Sequence, residues 1–432
     1  MFKKSCVALA AVLLVASGLW ANGLNLNGLG ARAASMGGAF VGLADDYTAV
    51  FWNPAGLALI QKPTFGLTGE LLLPSSTYGF TGFEMKTENK AYPAGILGYF
   101  TPISKKVVIG LGVYTPSGLG ADWVNPGLEE AMIYPYPPAA FTPPVGAYQW
   151  KSFIGAITIA PSVAVKLSEK VSLGATLNIN YGFFKTDQWG QYQIIPNPPK
   201  TPILFNFGQA TMDVKGWGVG ATFGLLVKPS DRVSFGLTYR LQSKVKMSGT
   251  MTLENLPLLN PALPDTTPAK LDATNPMWLA GGIAVKPLTN LTFTFDLQWT
   301  NWKKLQTLDV TFSDPTWNSF GETGKTLELY WANKTQIRFG AEYVKGNLAF
   351  RAGYYYDPAP APDDTMNILI PSFTYNSFQL GFGYRMGSSS CLDLCVEYLD
   401  GQTRTITSET AAMPGIYTMK IWVPMLSFHH SF

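Results

Sequence analysis

Apolar and polar side chains alternate along most of this chain, and the alternation runs to its last residue, Phe432. From Arg232 to Gln242 the apolar set is Val233, Phe235, Leu237, Tyr239 and Leu241, separated by Arg232, Ser234, Gly236, Thr238, Arg240 and Gln242. A strand points successive side chains to opposite faces, so this segment has one greasy and one polar face. Trp217, Val219, Ala221, Phe223, Leu225 and Val227 form a second stripe, and Leu291, Phe293, Phe295, Leu297 and Trp299 a third. Gly218, Gly220, Thr222 and Gly224 back the second stripe; Thr292, Asp296 and Gln298 back the third. In a soluble sandwich the greasy face would meet another sheet. Here nearly every run carries Gly, Thr, Asn or charge on its second face, which suits a closed barrel with lipid outside and a wet or filled lumen.

The runs predict fourteen strands, near 63–74, 92–101, 106–116, 152–167, 170–186, 211–228, 231–247, 277–287, 290–301, 334–345, 347–357, 373–386, 390–401 and 416–432. Connections alternate in length. Ser168–Lys170, Pro229–Asp231 and Val344–Asn347 are short, whereas 117–151, 187–210, 248–276, 302–333, 358–372 and 402–415 are long. Short inner turns, long outer loops and an even strand number are the habit of single-chain outer-membrane barrels, with both termini on the periplasmic side. The expected fold is therefore all-β: a 14-stranded antiparallel transmembrane β-barrel.

Composition agrees. Charged residues are 14% of the chain, against about 25% in ordinary soluble proteins. The net charge is +3, and the two lysines near the start, Lys3 and Lys4, account for two of those charges. No basic patch points to nucleic acid. Lys3 and Lys4 ahead of the apolar Val7–Val15 and the stretch Gly18-Leu19-Trp20-Ala21 read as a signal peptide over 1–21, with cleavage after Ala21. No later segment reads as a spanning helix; 131–150 carries Pro135, Pro137, Pro138, Pro143 and Pro144, which a helix interior does not tolerate. Export without spanning helices points to the outer membrane of a Gram-negative cell. Cys391 and Cys395 would lie about 13 Å apart on an extended strand, too far to bridge. With His429 and His430 the only histidines, no metal and no cofactor is expected.

Residues 22–62 do not alternate, and small residues dominate them. Asp45 or Asp46 can cap a short helix through Phe51, and Asn53 a second one with Pro54 in its first position. A compact segment of this size can fill a barrel lumen, so the domains expected are a leader (1–21), an N-terminal hatch or plug of short helices (22–62) and a barrel (63–432).

Here a resemblance becomes specific. Gly30-Ala31-Arg32-Ala33-Ala34-Ser35-Met36-Gly37-Gly38-Ala39-Phe40-Val41-Gly42-Leu43-Ala44-Asp45-Asp46, followed by Asn53-Pro54-Ala55-Gly56-Leu57-Ala58, resembles the N-terminal hatch of the FadL/TodX family. Trp217 to Arg240 and Asp296 to Trp302 extend the likeness. It implies a transporter of long-chain fatty acids or other hydrophobic molecules, not an enzyme. It further implies that Asn53, Pro54 and Ala55 form the hatch motif, and that an inward kink of the third strand opens a lateral gate. The corresponding strand holds Gly110 and Gly112, then Pro116, Gly118 and Gly120; glycine and proline weaken or bend strands, though ordinary small lumen residues would look the same.

Region 117–151 is unusually greasy for a loop, with Trp123, Met132, Tyr134 and Phe141 among its large side chains. It is either a capture surface for an apolar ligand or an interface girdle with self-packed loops. Lys166, Arg232, Arg240, Asp296, Arg338, Glu342, Arg351, Asp393 and Glu397 are expected to face inward, where a base can hold a carboxylate or pairs can brace the lumen. The partners expected are a hydrophobic small molecule, outer-membrane lipids and, from the terminal Leu426-Phe428-His430-Phe432 face, the outer-membrane assembly machinery; a monomer is expected. A porin for small solutes, a surface adhesin and a lipase built on His429 are the competing readings.

Overall fold

A strand whose outer face meets lipid keeps its large apolar side chains uncovered by protein. In the computed structural model Val219 is 60% and Phe223 48% exposed, whereas Thr222 between them is fully buried. The structure describes residue 26 and residues 28–80, 82–125, 127–133, 136–195, 203–315, 317, 326–407 and 411–432. The predicted leader, residues 22–25 and 27 of the expected hatch, and Tyr134 lie outside these residues.

Fourteen wall strands are present among the described residues. They are β1 (Thr64–Phe80), β2 (Phe83–Thr87 and Tyr92–Pro102), β3 (Val107–Val124), β4 (Trp150–Lys166), β5 (Val171–Trp189) and β6 (Gln209–Ser230). Next come β7 (Val233–Arg240 and Ser243–Leu253), β8 (Thr266–Asn275 and Trp278–Leu288), β9 (Leu291–Thr300) and β10 (Lys334–Lys345). The last four are β11 (Leu348–Asp357), β12 (Tyr375–Met386), β13 (Ser390–Ile406) and β14 (Gly415–Ser431). Each pairs antiparallel with its chain neighbour, and β14 closes on β1 from Thr64 opposite Ser431 to Gly79 opposite Ile416. No described helix is long and apolar enough to cross a membrane.

The strands run further than the alternation predicts. β3 continues to Val124, and the expected loop 248–276 holds the long hairpin of β7 and β8. Beyond the bilayer neither face meets lipid, so the apolar stripe ends before the hydrogen-bond ladder does. Lys244, Lys246, Lys270 and Asp272 occupy that hairpin.

The two largest apolar clusters among the described residues lie within the barrel. One gathers the N-terminal segment (Leu29, Phe40, Val50, Phe51, Trp52) with Phe100 and Tyr114. The other lies toward the long loops and includes Trp123, Trp150, Trp331, Met366 and Phe373.

A charge on the lipid face should be costly. Phe223→Arg is expected to lower stability by about 2–4 kcal/mol in denaturant unfolding from phospholipid vesicles, with Phe223→Tyr close to the parent.

Candidate functional site

The N-terminal segment carries two very short helices, α1 (Ala31–Ser35) and α2 (Ala49–Trp52), and a 3-10 turn over Pro54–Leu59. Helices this short satisfy few of their own backbone groups. The barrel wall supplies the rest. Ala31 N–H donates to Ser427 Oγ at 2.8 Å, Gly30 N–H to Glu70 Oε1 at 3.0 Å and Val41 N–H to Asp296 Oδ2 at 2.7 Å. Ser234, Thr238, Arg240 and Arg338 donate to the carbonyls of Gly42, Trp52, Phe51 and Gly37. Glycines in the wall allow this approach. A Cβ on Gly236 would lie 1.9 Å from the Val41 carbonyl oxygen, and one on Gly353 2.0 Å from Gly37 N.

Asn53, Pro54 and Ala55 are fully buried against β5, β6 and β7. Asn53 Oδ1 accepts from Ala55 N–H at 3.1 Å, capping the 3-10 turn, while Nδ2 donates to Val41 O at 2.9 Å and to Leu225 O of β6 at 3.0 Å. The helix expected after Asp45 or Asp46 starts later, at Ala49. Asp46 instead accepts from the Thr48 N–H and hydroxyl, and Arg32 holds Asp45 and Asp46 together with Glu342. A carboxylate committed to a buried guanidinium and a local turn is lost to helix capping.

The third strand interrupts the wall. β3 pairs with β2 up to Tyr114 opposite Ile96, and again only at Trp123 opposite Thr87 and Val124 opposite Lys86. Between these, Thr115–Ala121 has no ladder partner in β2, and the register with β4 shifts between Tyr114 and Ser117. Proline at 116 has no N–H to continue the ladder, and the Thr115 hydroxyl, bonded to both N–H and C=O of Gly95, replaces a strand pair. Leu26 N–H donates to the Pro116 carbonyl at 3.1 Å. Gly110 and Gly112 sit below the interruption, in the regular ladder. Gly118 and Gly120 sit within it: a Cβ on Gly118 would meet nothing within 4 Å, whereas one on Gly120 would lie 2.3 Å from the Tyr92 ring. Tyr92 also stacks on Phe153, at 5.9 Å. Above the gap, Lys90 is tied to Asp122, whose hydrogen bond holds the ammonium above its ordinary range.

Inside, a cavity of about 60 Å³ faces this gap, lined by Leu26, Gly118, Leu119, Phe373, Tyr375 and Val423, with the carboxylates of Glu70 and Glu397 at its edge. A second small cavity that also touches β3 is lined by Tyr114, Pro116, Ser117, Asn178, Arg240 and Trp278. Arg240 lies 4.7 Å from each of the Phe51 and Trp278 rings and has no carboxylate partner among the described residues. Of the other expected inward charges, Asp296, Arg338, Glu342, Arg351, Asp393 and Glu397 are buried. Lys166 pairs with Glu169 near a short turn, and Arg232 is exposed at another. Both stand at strand ends, where the inward phase gives way to water. A shallow groove of about 470 Å³ lined by Phe293, Phe295 and Phe339 belongs to the lipid-facing surface.

The greasy loop residues are mostly turned in. Trp123 belongs to β3 and donates Nε1–H to Ile368 O at 2.9 Å; Phe141 is buried, and Met132, closing the short helix Leu128–Met132, is 36% exposed. What the sequence did not reveal is the partner of Trp123. Residues 365–375, from within the expected outer loop 358–372 to the first residue of β12, form one continuous buried run inside the barrel mouth. Met366, Ile368, Leu369, Ile370 and Phe373 were the available signal, an apolar patch in an otherwise polar connection.

A family model described as outer membrane protein transport protein (OMPP1/FadL/TodX) matches residues 7–432. This chain belongs to that family. It is an integral outer-membrane barrel of the class that carries hydrophobic compounds. A long-chain fatty acid transport protein of Escherichia coli O6:H1 is 25% identical over 100% of this chain and 99% of its own length. Among solved structures, a FadL homologue from Pseudomonas aeruginosa has a TM-score of 0.75 at 20% identity, covering 95% of this chain and 100% of its own. The Ralstonia pickettii toluene transporter TbuX has 0.67 at 17%, covering 94% and 99%.

In this FadL/TodX barrel Asn53 ties the N-terminal segment to itself and to the wall. Asn53→Ala strands buried partners, at an expected cost of about 1–3 kcal/mol. Hydrogen exchange should quicken across residues 28–62 while the wall strands stay protected.

Proposed function

We propose that this protein is a passive conduit for long-chain fatty acids or similar hydrophobic molecules, which leave sideways into the bilayer through the interruption beside β3. The observation that carries the reading is the apolar cavity facing Thr115–Ala121, where the wall lacks a ladder partner. An alkyl chain gains about 0.8 kcal/mol per CH₂ on leaving water, so a route that ends in lipid never returns it to water. Relatives named for fatty-acid and toluene transport agree with apolar cargo. The N-terminal segment acts as a plug, and the filled bore argues against an open porin.

Ligand pockets generally measure about 300–1,000 Å³, so a cavity of about 60 Å³ belongs to a closed state. The plug, the inward loop 365–375 or both move when cargo passes. Capture begins at the long loops, where Val124, Met132 and Tyr136 remain exposed. Arg240 is the base best suited to a carboxylate head, because its guanidinium is held by Phe51 O and Thr222 Oγ1 with no acid among the described residues competing for it. The apolar side offers Glu70 and Glu397 and no base among its lining residues, so the head stays near Arg240 while the tail follows Pro116–Leu119 outward.

A Cβ on Gly118 meets nothing within 4 Å, so Gly118→Trp places its bulk at the gap. Uptake of labelled fatty acid by cells lacking their own transporter should fall several-fold with normal assembly; unchanged uptake rejects the lateral route. Arg240→Gln should weaken binding of a long-chain carboxylate by about 10-fold or more, the worth of a charge-assisted hydrogen bond, and leave a neutral alkane unaffected. Equal loss for both cargoes would assign Arg240 to the plug alone.

A further inference from the structure

The short-turn end of the lumen holds a cluster that transport does not use. Cys391 of β13 stands directly opposite His429 of β14, and Asp393 follows two residues on, on the same inner face. Strand pairing brings the thiol and imidazole together although they are far apart in the chain. That is why counting ligands along the sequence pointed to no metal. The thiol, carboxylate and imidazole donor atoms all lie within 4.8 Å of one another. Cys391 Sγ and Asp393 Oδ2 are 3.6 Å apart. In a tetrahedral site with bonds of about 2.0–2.3 Å, ligand atoms stand roughly 3.3–3.8 Å from each other. One edge of such a site is therefore already in place, and a rotamer adjustment at the rim closes the others.

We propose that Cys391, Asp393 and His429 form a binding site for a divalent cation of the zinc class.

Three further observations support this. Arg351 donates to Asp393 Oδ1 at 2.7 Å and to Glu342 Oε2 at 2.6 Å, which fixes the carboxylate and leaves Oδ2 toward the thiol. Outer partners of this kind orient metal ligands. His429 has no hydrogen-bond partner among the described residues; its ring lies 6.2 Å from Tyr47 of the N-terminal segment. Beside Cys391 and His429 lies a polar cavity of about 220 Å³, which can supply a water as fourth ligand.

Charge also balances. Arg32, Arg351 and Arg385 face Asp45, Asp46, Glu342 and Asp393 around this cavity. Four carboxylates against three guanidinium groups leave one negative charge. Cys391 loses its proton to solvent on binding, as thiol ligands do, and the second negative charge matches a divalent ion. Mixed sulfur, nitrogen and oxygen donors select zinc-like ions over calcium or magnesium, which want oxygen shells.

The test uses the full barrel purified in detergent, stripped with chelator and titrated with Zn²⁺ and with Co²⁺. One equivalent should bind, and Co²⁺ should show a thiolate charge-transfer band with tetrahedral ligand-field absorption. C391S should abolish the band, and H429Q should weaken binding at least tenfold. C395S, which changes the other cysteine, should bind like the parent. Heat-modifiable gel migration verifies that each variant is a folded barrel. Absence of saturable binding in the parent, or one equivalent bound unchanged in the C391S H429Q double variant, overturns the site.

Discussion

A backbone folded inside a barrel must hydrogen-bond to something, and in this protein it bonds to the wall. The N-terminal segment is too short in its helices to satisfy itself, so side chains from β1, β7, β9, β10 and β14 complete it. An unpaired buried backbone group costs about as much as a lost hydrogen bond. Each wall residue that reaches the segment therefore sets both its position and its stability. The inner faces read as they do for this reason: Ser, Thr, Asp and Arg where a partner is needed, and glycine where two backbones touch.

The same requirement explains why charges survive inside. Arg32 of the segment joins Asp45, Asp46 and Glu342, and Arg351 joins Glu342 to Asp393. Removing one partner from such a chain leaves an uncompensated buried charge, worth about 3–5 kcal/mol. The network therefore fixes the segment relative to β10, β11 and β13 and couples a shift of the segment to the short-turn mouth. Asn53 does the equivalent work at β6, without charge.

All fourteen spanning strands were legible because lipid imposes a period of two on any strand it touches. That signal stops where lipid stops. β3 above Tyr114 has Pro116, Gly118 and Gly120 where an outward apolar stripe would stand, and its continuation to Val124 is set by pairing with β4. The burial of Trp123 and of residues 365–375 depends on two distant segments meeting, which no local pattern carries. The proximity of Cys391 and His429 has the same origin, since it follows from the register of β13 on β14. Among the expected site residues, Gly118 and Gly120 lie where the ladder is broken, while Gly110 and Gly112 lie where it is intact. Both pairs look alike in sequence because glycine serves both a bend and a close packing contact.

The interruption beside β3 has to be stable without being sealed. A wall facing lipid cannot leave backbone groups unsatisfied, and the gap is furnished accordingly. The Thr115 hydroxyl serves both backbone groups of Gly95, Leu26 N–H takes the Pro116 carbonyl, and proline itself has no N–H to satisfy. The Tyr92 ring then covers Gly120 with an apolar face. Each of these closures is a side chain or a single bond from Leu26 of the N-terminal segment, and none is a strand pair. A ladder can be opened only by unzipping several bonds together, whereas a ring can turn about one bond. Where the apolar cavity meets the wall, β3 is held to β2 by these contacts and not by a ladder.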